Sequence, residues 1–301
     1  MAESVLITGA SGLIGQQLQE ALLKKGYEIR GLSRKSRQEE GITWYTWDIE
    51  EGKIDPAAFD KLDYIIHLAG ANVADGRWTE KRKKVILESR TASAALLHEY
   101  VRKMPKPPKA FISASGISIY GADNGKTWLD EESPEGKDFL AKVAQAWEES
   151  ADDFAKIGIR TVKLRIGVVL SEEGGALQEL TKPIRFYAGA PLASGKQYMS
   201  WIHIDDLVRI FVDALENTGY EGAYNAVAPK PVTNKTLTRS AARAMGKPLL
   251  LPNVPAFVLK LMLGEMAEIL IGSGRVSSEK IEQQGFTFQY RKIDTAMDDL
   301  L

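Results

Sequence analysis

The stretch VLITGASGLIGQQL, Val5 to Leu18, sets Gly9, Gly12 and Gly15 between a short apolar run and an amphipathic one. Glycines at that spacing have separate uses. Gly9 permits a tight turn, Gly12 lets the backbone approach a pyrophosphate, and Gly15 allows a helix to pack close on its strand. A helix starting at this point turns unpaired amides and the positive end of its dipole toward the turn, which favours an anion. The stretch therefore reads as strand, phosphate-binding turn and helix. Thr8, Gly9, Ser11, Gly12, Leu13, Ile14 and Gly15 are its expected cofactor contacts.

Outward from this turn, EIRGLS (28–33), YIIHLAG (64–70), AFISAS (110–115) and RTVKLRIGVVL (160–170) read as further strands. Between them, 15–26, 79–103 and 138–157 carry apolar residues at three and four spacing, the helical period. Alternation of this kind predicts an α/β fold, a Rossmann-type doubly wound parallel sheet with helices on both faces. The near-continuous apolar strands fit a sheet buried on both sides. We place this dinucleotide-binding unit at 1–170 with parts of 196–228, a substrate-loop region at 171–246, and a small C-terminal helical domain or lid at 247–301. A helix is expected over 205–218 with Asp205 as its N-cap, and another over 255–272. Lys260, Glu265 and Glu268 interrupt the latter, so a packed helix is expected there instead of a membrane span.

The end of the second strand selects the nicotinamide cofactor, because a carboxylate there binds the ribose 2′-hydroxyl and repels a 2′-phosphate. Here Ser33 is followed by Arg34 and Lys35, with no acid until Glu39. A hydroxyl and a guanidinium suit a phosphate. NADP (as NADPH) is thus expected over NAD. The 301 residues carry a formal net charge of -1, which gives no basic footprint for nucleic acid and leaves a small molecule or a protein as partner. With no cysteine, thiol nucleophiles and disulfides are excluded, and no metal site is expected because no histidine has a partner at ligand spacing. The first residues lack the pattern of a signal peptide, so a cytoplasmic protein is the expectation.

Five motifs in order, TGASGLIG (8–15), WDIE with Asp48, HLAG (67–70), SASGISIYG (113–121) and WIHIDDLV (201–208), carry a resemblance to the extended short-chain dehydrogenase/reductase superfamily, which includes nucleotide-sugar epimerases. The strings DFLA…WE, SWIHIDDL and LGEMAE narrow it. They resemble an atypical, epimerase-like subgroup with a C-terminal domain of unknown function. The resemblance implies that Asp48 and Ile49 lie near the adenine and Leu68, Ala69 and Gly70 near the ribose. It also places Ser113 and Arg90 beside the cofactor and makes Ser115 the serine that polarises the substrate. Gln197, Met199, Trp201 and His203 fall in what resembles the subgroup's substrate loop.

The superfamily's tyrosine and lysine are missing. Counting back from Glu148 puts Leu140 at the tyrosine and Ala144 at the lysine, and no tyrosine in the chain is followed by lysine at the fourth position. Leucine and alanine can neither donate a proton nor depress a phenol's pKa. Tyr120 is the remaining candidate acid, although its counterpart in the superfamily is usually structural. Arg90, where the family commonly has asparagine, contacts cofactor or substrate, or pairs with a helix acid. Two functions follow: an NADP-dependent oxidoreductase or epimerase-like protein acting on an unidentified small molecule, or a non-catalytic NADP sensor or cell-division-related interaction protein, as some relatives are described. The helices at 79–103 and 138–157 are candidates for pairing in a homodimer.

Overall fold

β1 (Ser4–Thr8) is buried along its whole length and lies inside an eight-stranded sheet of the computed structural model, which describes residues 2–35 and 37–301. After it come α1 (Leu13–Lys24), β2 (Glu28–Ser33), β3 (Ile42–Asp48), β4 (Lys53–Ile54), β5 (Tyr64–His67), α2 (Glu80–Val101) and β6 (Ala110–Gly116). Then follow β7 (Asp123–Leu129), α3 (Phe139–Lys156), β8 (Arg160–Ile166), β9 (Val168–Ser171), β10 (Gly174–Gly175) and α4 (Ala176–Arg185). The chain continues through β11 (Tyr198–Met199), β12 (Trp201–His203), α5 (Ile204–Glu216), β13 (Gly222–Ala226), β14 (Val232–Thr233) and α6 (Asn234–Ala244). The tail holds α7 (Ala256–Leu263), α8 (Glu268–Ile271), β15 (Ser273–Val276), α9 (Glu279–Gln283) and α10 (Ile293–Leu300).

The large sheet runs β13-β8-β6-β5-β1-β2-β3-β4, parallel throughout except where β4 turns back on β3. The expected Rossmann-type α/β architecture is thus present. On one face, α1 and α5 bury Leu18, Leu22, Leu207 and Phe211 against β-strand residues such as Val5 and Ile7. On the other, α2 and α3 bury Leu97, Val101, Ala151 and Phe154 against Leu6, Ile65 and Phe111. Side chains alternate across each strand, so Leu6 and its neighbours Val5 and Ile7 serve opposite layers. α2 and α3 begin at side-chain caps: Thr79 accepts from Arg82 N, and Asp138 Oδ1 from Ala141 N.

Three boundaries differ from the expectations. The run 160–170 is two strands, not one: at Gly167 the chain leaves the large sheet, and a Cβ there would lie 2.6 Å from Ser200 O. The helix over 205–218 is capped by His203, whose Nδ1 accepts from Asp205 N, so Asp205 is not the N-cap. The segment 255–272 breaks at Gly264, whose φ of 63° ends α7. No helix among the described residues is long and apolar enough to cross a membrane. The tail is also more than helical, since β15 adds in parallel to β7 and α10 packs with α6 around Trp201.

Candidate functional site

The glycine turn leaves the end of β1 where the expectations put it. Gly9 has φ +69°, and a Cβ on it would meet the Leu68 carbonyl carbon at 2.9 Å. A Cβ on Gly15 would lie 2.5 Å from Gly9 O and 2.6 Å from Ala10 O. α1 has no side-chain cap and no acid in its first turn, so the amides at its start are free to face an anion. The cradle therefore fits a dinucleotide pyrophosphate. Gly15→Ala is expected to cost about 1–3 kcal/mol through enforced backbone movement, read by urea unfolding. An unchanged midpoint would mean that the turn accommodates the methyl group.

Thr8 does not reach this cradle. It is fully buried, and its Oγ1 accepts from Leu68 N and Ala69 N, which leaves its one hydrogen for His67 Nδ1 at 2.8 Å. The hydroxyl ties the ends of β1 and β5 together, a structural use that corrects its expected contact with cofactor. Arg90 is likewise corrected in part. It has no acid partner among the described residues; Nη1 donates to Ala71 O and Ile86 O, and the guanidinium lies 4.8 Å over Trp147. Burial, then the charge of Arg82, pushes its pKa down to about 10. Arg90 thus backs the Leu68–Gly70 segment, and a Cβ on Gly70 would meet its Cζ at 2.9 Å. Ser113 is buried, with its hydroxyl turned to Ala114 O.

Along the same sheet edge, Ser33 ends β2 with Arg34 and Lys35 exposed beside it, and Ser33 pairs with Thr46 in β3. Asp48 closes β3, accepting from Glu51 N, with Ile49 packed under the sheet. These residues and the glycine turn lie at the carboxyl ends of parallel strands, the side where open α/β sheets bind ligands.

Beyond β6 the geometry departs from the resemblance. Ser115 turns inward and donates to Glu148 Oε1 at 2.8 Å. Glu148 also receives Arg165 Nε at 2.8 Å and Arg165 Nη2 at 3.0 Å. Arg165 Nη1 donates to the Tyr120 hydroxyl at 2.9 Å, which donates to Asn225 Oδ1 at 2.6 Å. All five residues are buried. Burial alone would push the Arg165 guanidinium down, but the hydrogen bonds and charge of Glu148 hold it above its ordinary value. Burial also pushes the Tyr120 phenol up to about 12, against the pull of Arg165. Tyr120 and Ser115 are therefore corrected from proton-handling candidates to members of an internal network.

A hydroxyl left for the open space is that of Ser118, which sequence reading passed over. With Leu140, Trp78 and Met199 it lines a cavity of about 150 Å³. Leu140 stands at the tyrosine position, so the cavity occupies the place of the expected chemistry. Ala144 is sealed beneath, packed with Ile119, Tyr120, Leu129, Val227 and Val276, so no lysine would fit there without displacing them. The other half of the wall comes from the tail: Ile269, Ser273, Gly274 and Val276 close the cavity. The only signal for these in the sequence was membership of the tail, because β15 reaches the site by pairing with a strand about 150 positions earlier.

Of the substrate-loop candidates, Met199 lines the cavity and three others do not. Gln197 donates to Leu192 O and Leu270 O, stapling the tail to the loop. Trp201 is fully buried, donates to Lys230 O and forms the joint to α10. His203 stacks on Tyr290 at 3.7 Å. Its Nε2 lies 3.2 Å from Asp299 Oδ2 but is not aimed at it. Burial lowers the His203 pKa, against the raising effect of Asp205 and Asp299. His203, Asp205 and Asp299 bring potential ligand atoms within 4.8 Å, the one such group among the described residues, but Nδ1 is used by the helix cap and both carboxylates face solvent.

Residues 5–226 match the NAD dependent epimerase/dehydratase family, and residues 254–300 match a domain of unknown function, DUF1731. The epimerase family protein YfhF of Bacillus subtilis is 35% identical over 300 residues, which cover 99% of this chain and 98% of the relative. The crystal structure of human epimerase family protein SDR39U1 (isoform2) with NADPH superimposes with a TM-score of 0.87 at 31% identity, covering 99% of this chain and 98% of that one. The nucleoside-diphosphate sugar epimerase of Corynebacterium glutamicum gives a TM-score of 0.81 at 32% identity, with 100% of this chain matching 58% of that one.

Proposed function

Because this chain belongs to the NAD dependent epimerase/dehydratase family, an epimerase-like NAD(P)-binding group, we propose that it is an NADP(H)-binding oxidoreductase or epimerase-like protein acting on a small molecule in the cavity under Leu140. The observation that carries the reading is the glycine cradle at the uncapped start of α1, with the hydroxyl and cations of Ser33, Arg34 and Lys35 beside it and no acid at the end of β2. The NADPH in the human relative's structure supports the same preference. A bound nicotinamide supplies or accepts hydride. Of the chain's own groups, Ser118 can orient a substrate oxygen, while Leu140 and the tail residues keep water from it.

The test is a fluorescence titration with NADPH and NADH. Charge-assisted contacts contribute about 1.5–3 kcal/mol each, so Arg34→Ala is expected to weaken NADPH by about 10- to 100-fold and leave NADH nearly unchanged. Equal affinity for the two cofactors, unmoved by the substitution, would reject the NADP preference.

Leu140 and Ala144 favour a second reading, an NADP-binding sensor or interaction protein without turnover, because neither the tyrosine position nor the lysine position carries a group that can transfer a proton. A turnover abolished by Ser118→Ala with cofactor binding intact would exclude it.

A further inference from the structure

We propose that the cavity under Leu140 selects a compact, largely apolar molecule carrying a hydrogen-bond-accepting oxygen and no negative charge, and that it excludes nucleoside diphosphate sugars. The inference rests on the reading of this cavity as the substrate site. Its walls set the size. At about 150 Å³ it lies below the roughly 300–1,000 Å³ of sites that enclose drug-sized ligands.

Four of the polar side chains at the wall are already engaged by the fold. Asp138 accepts from Ala141 N and Ala122 N, one with each carboxylate oxygen. Ser200 Oγ donates to Gly274 O and accepts from Val276 N. Ser273 Oγ donates to Gly125 O and accepts from Tyr198 N. Asn124 Nδ2 donates to Tyr120 O and Gly121 O. Ser118 differs, since its Oγ has only a 3.5 Å contact with Leu140 O and is readily turned to a ligand. What remains is a mainly apolar lining of Trp78, Ile117, Leu140, Val168, Met199 and Ile269 around the Ser118 and Tyr198 hydroxyls, with the Glu268 carboxylate at its side.

Charge gives the exclusion. No lysine or arginine lines the cavity among the described residues. A neighbouring pocket of about 570 Å³, which shares Asp138 and Glu268 with the cavity wall, carries Asp123, Glu135, Asp138 and Glu268 against Lys137 and Lys260, an excess of two negative charges. A diphosphate entering there would meet like charge with no guanidinium to receive it. Much of this selectivity comes from the tail, which supplies Ile269 and Glu268 to the lining, Glu268 also facing the neighbouring pocket. That gives the domain of unknown function a role as the selective wall of the site.

The test is calorimetric titration of the full chain with acetophenone and with UDP-glucose, each with and without saturating NADPH, in wild type, Ser118→Ala and Ile269→Asp. Acetophenone is expected to bind saturably, about tenfold more weakly after loss of the Ser118 hydrogen bond and more weakly still with an aspartate at 269. UDP-glucose is expected to give no binding heat. Circular dichroism checks the fold of both variants, and Ser118→Ala decides alone if Ile269→Asp unfolds. UDP-glucose binding, no acetophenone binding, or acetophenone affinity unmoved by Ser118→Ala would each overturn the proposal. Acetophenone binding without any NADPH binding would uphold this inference and reject the cofactor reading. NADPH binding without acetophenone binding would do the reverse.

Discussion

Glu148→Ala is expected to lower stability by about 3–5 kcal/mol, the usual consequence of removing one member of a buried ion pair. The Glu148 and Arg165 side chains are 7% and 8% exposed, and the carboxylate receives two bonds from the guanidinium and one from Ser115. Without it, Arg165 stays held by the Tyr120 hydroxyl and Glu131 O, with Lys163 Nζ also left facing the gap from its 3.9 Å approach to Glu148. Arg165 would then have no carboxylate bonded to it, and Lys163 only its pair with the half-exposed Asp152. Glu148→Gln should cost less, because the amide oxygen still accepts a hydrogen bond. Urea unfolding followed by circular dichroism measures both. A loss under about 1 kcal/mol for the alanine variant would mean that water reaches Arg165 and that the network is not sealed.

The second large effect is acid destabilisation through His67. Burial, with the nearby charge of Arg90 adding to it, pushes its pKa down to about 4. Its other neighbours, Thr8, Ser93, Phe111 and Trp147, carry no charge. The unfolded chain takes up a proton near the ordinary value of 6.5, whereas the folded chain does so only near 4. Between those values the unfolded state binds more protons, so the stability His67 contributes is complete above pH 6.5 and lost as pH falls toward 4. The interval corresponds to about 3 kcal/mol. Unfolding free energies measured from pH 7 to 4 should therefore fall more steeply in the wild type than in His67→Asn. Parallel curves would show that His67 is solvated or protonated in the fold.

The halves of the site differed in how far they could be read in advance. The geometry of the glycine turn was legible because its determinants are local: Gly9, Gly12 and Gly15 fall within one turn, and Ser33 to Lys35 are consecutive. The substrate half was not. Ser115 and Ser118 are three residues apart in one motif, and only the 3₁₀ turn after β6 decides which hydroxyl faces inward and which faces the cavity. Thr8, Trp201 and His203 were misassigned for a related reason. Each lies in a motif next to the site, but its side chain is spent on holding β5, α10 or the tail in place.

The sequence by itself determined the parallel α/β layering, the glycine turn after β1, the cations at the end of β2 and the absence of a tyrosine and lysine pair. Those features depend on periodicity, on the glycine backbone and on residue identity, which are all properties of neighbours along the chain. Only the tertiary structure decided what took the pair's place. The Ser115–Glu148–Arg165–Tyr120–Asn225 network and the cavity walled by Leu140 and Ile269 each join residues more than 100 positions apart, and long-range packing and burial alone bring such residues together.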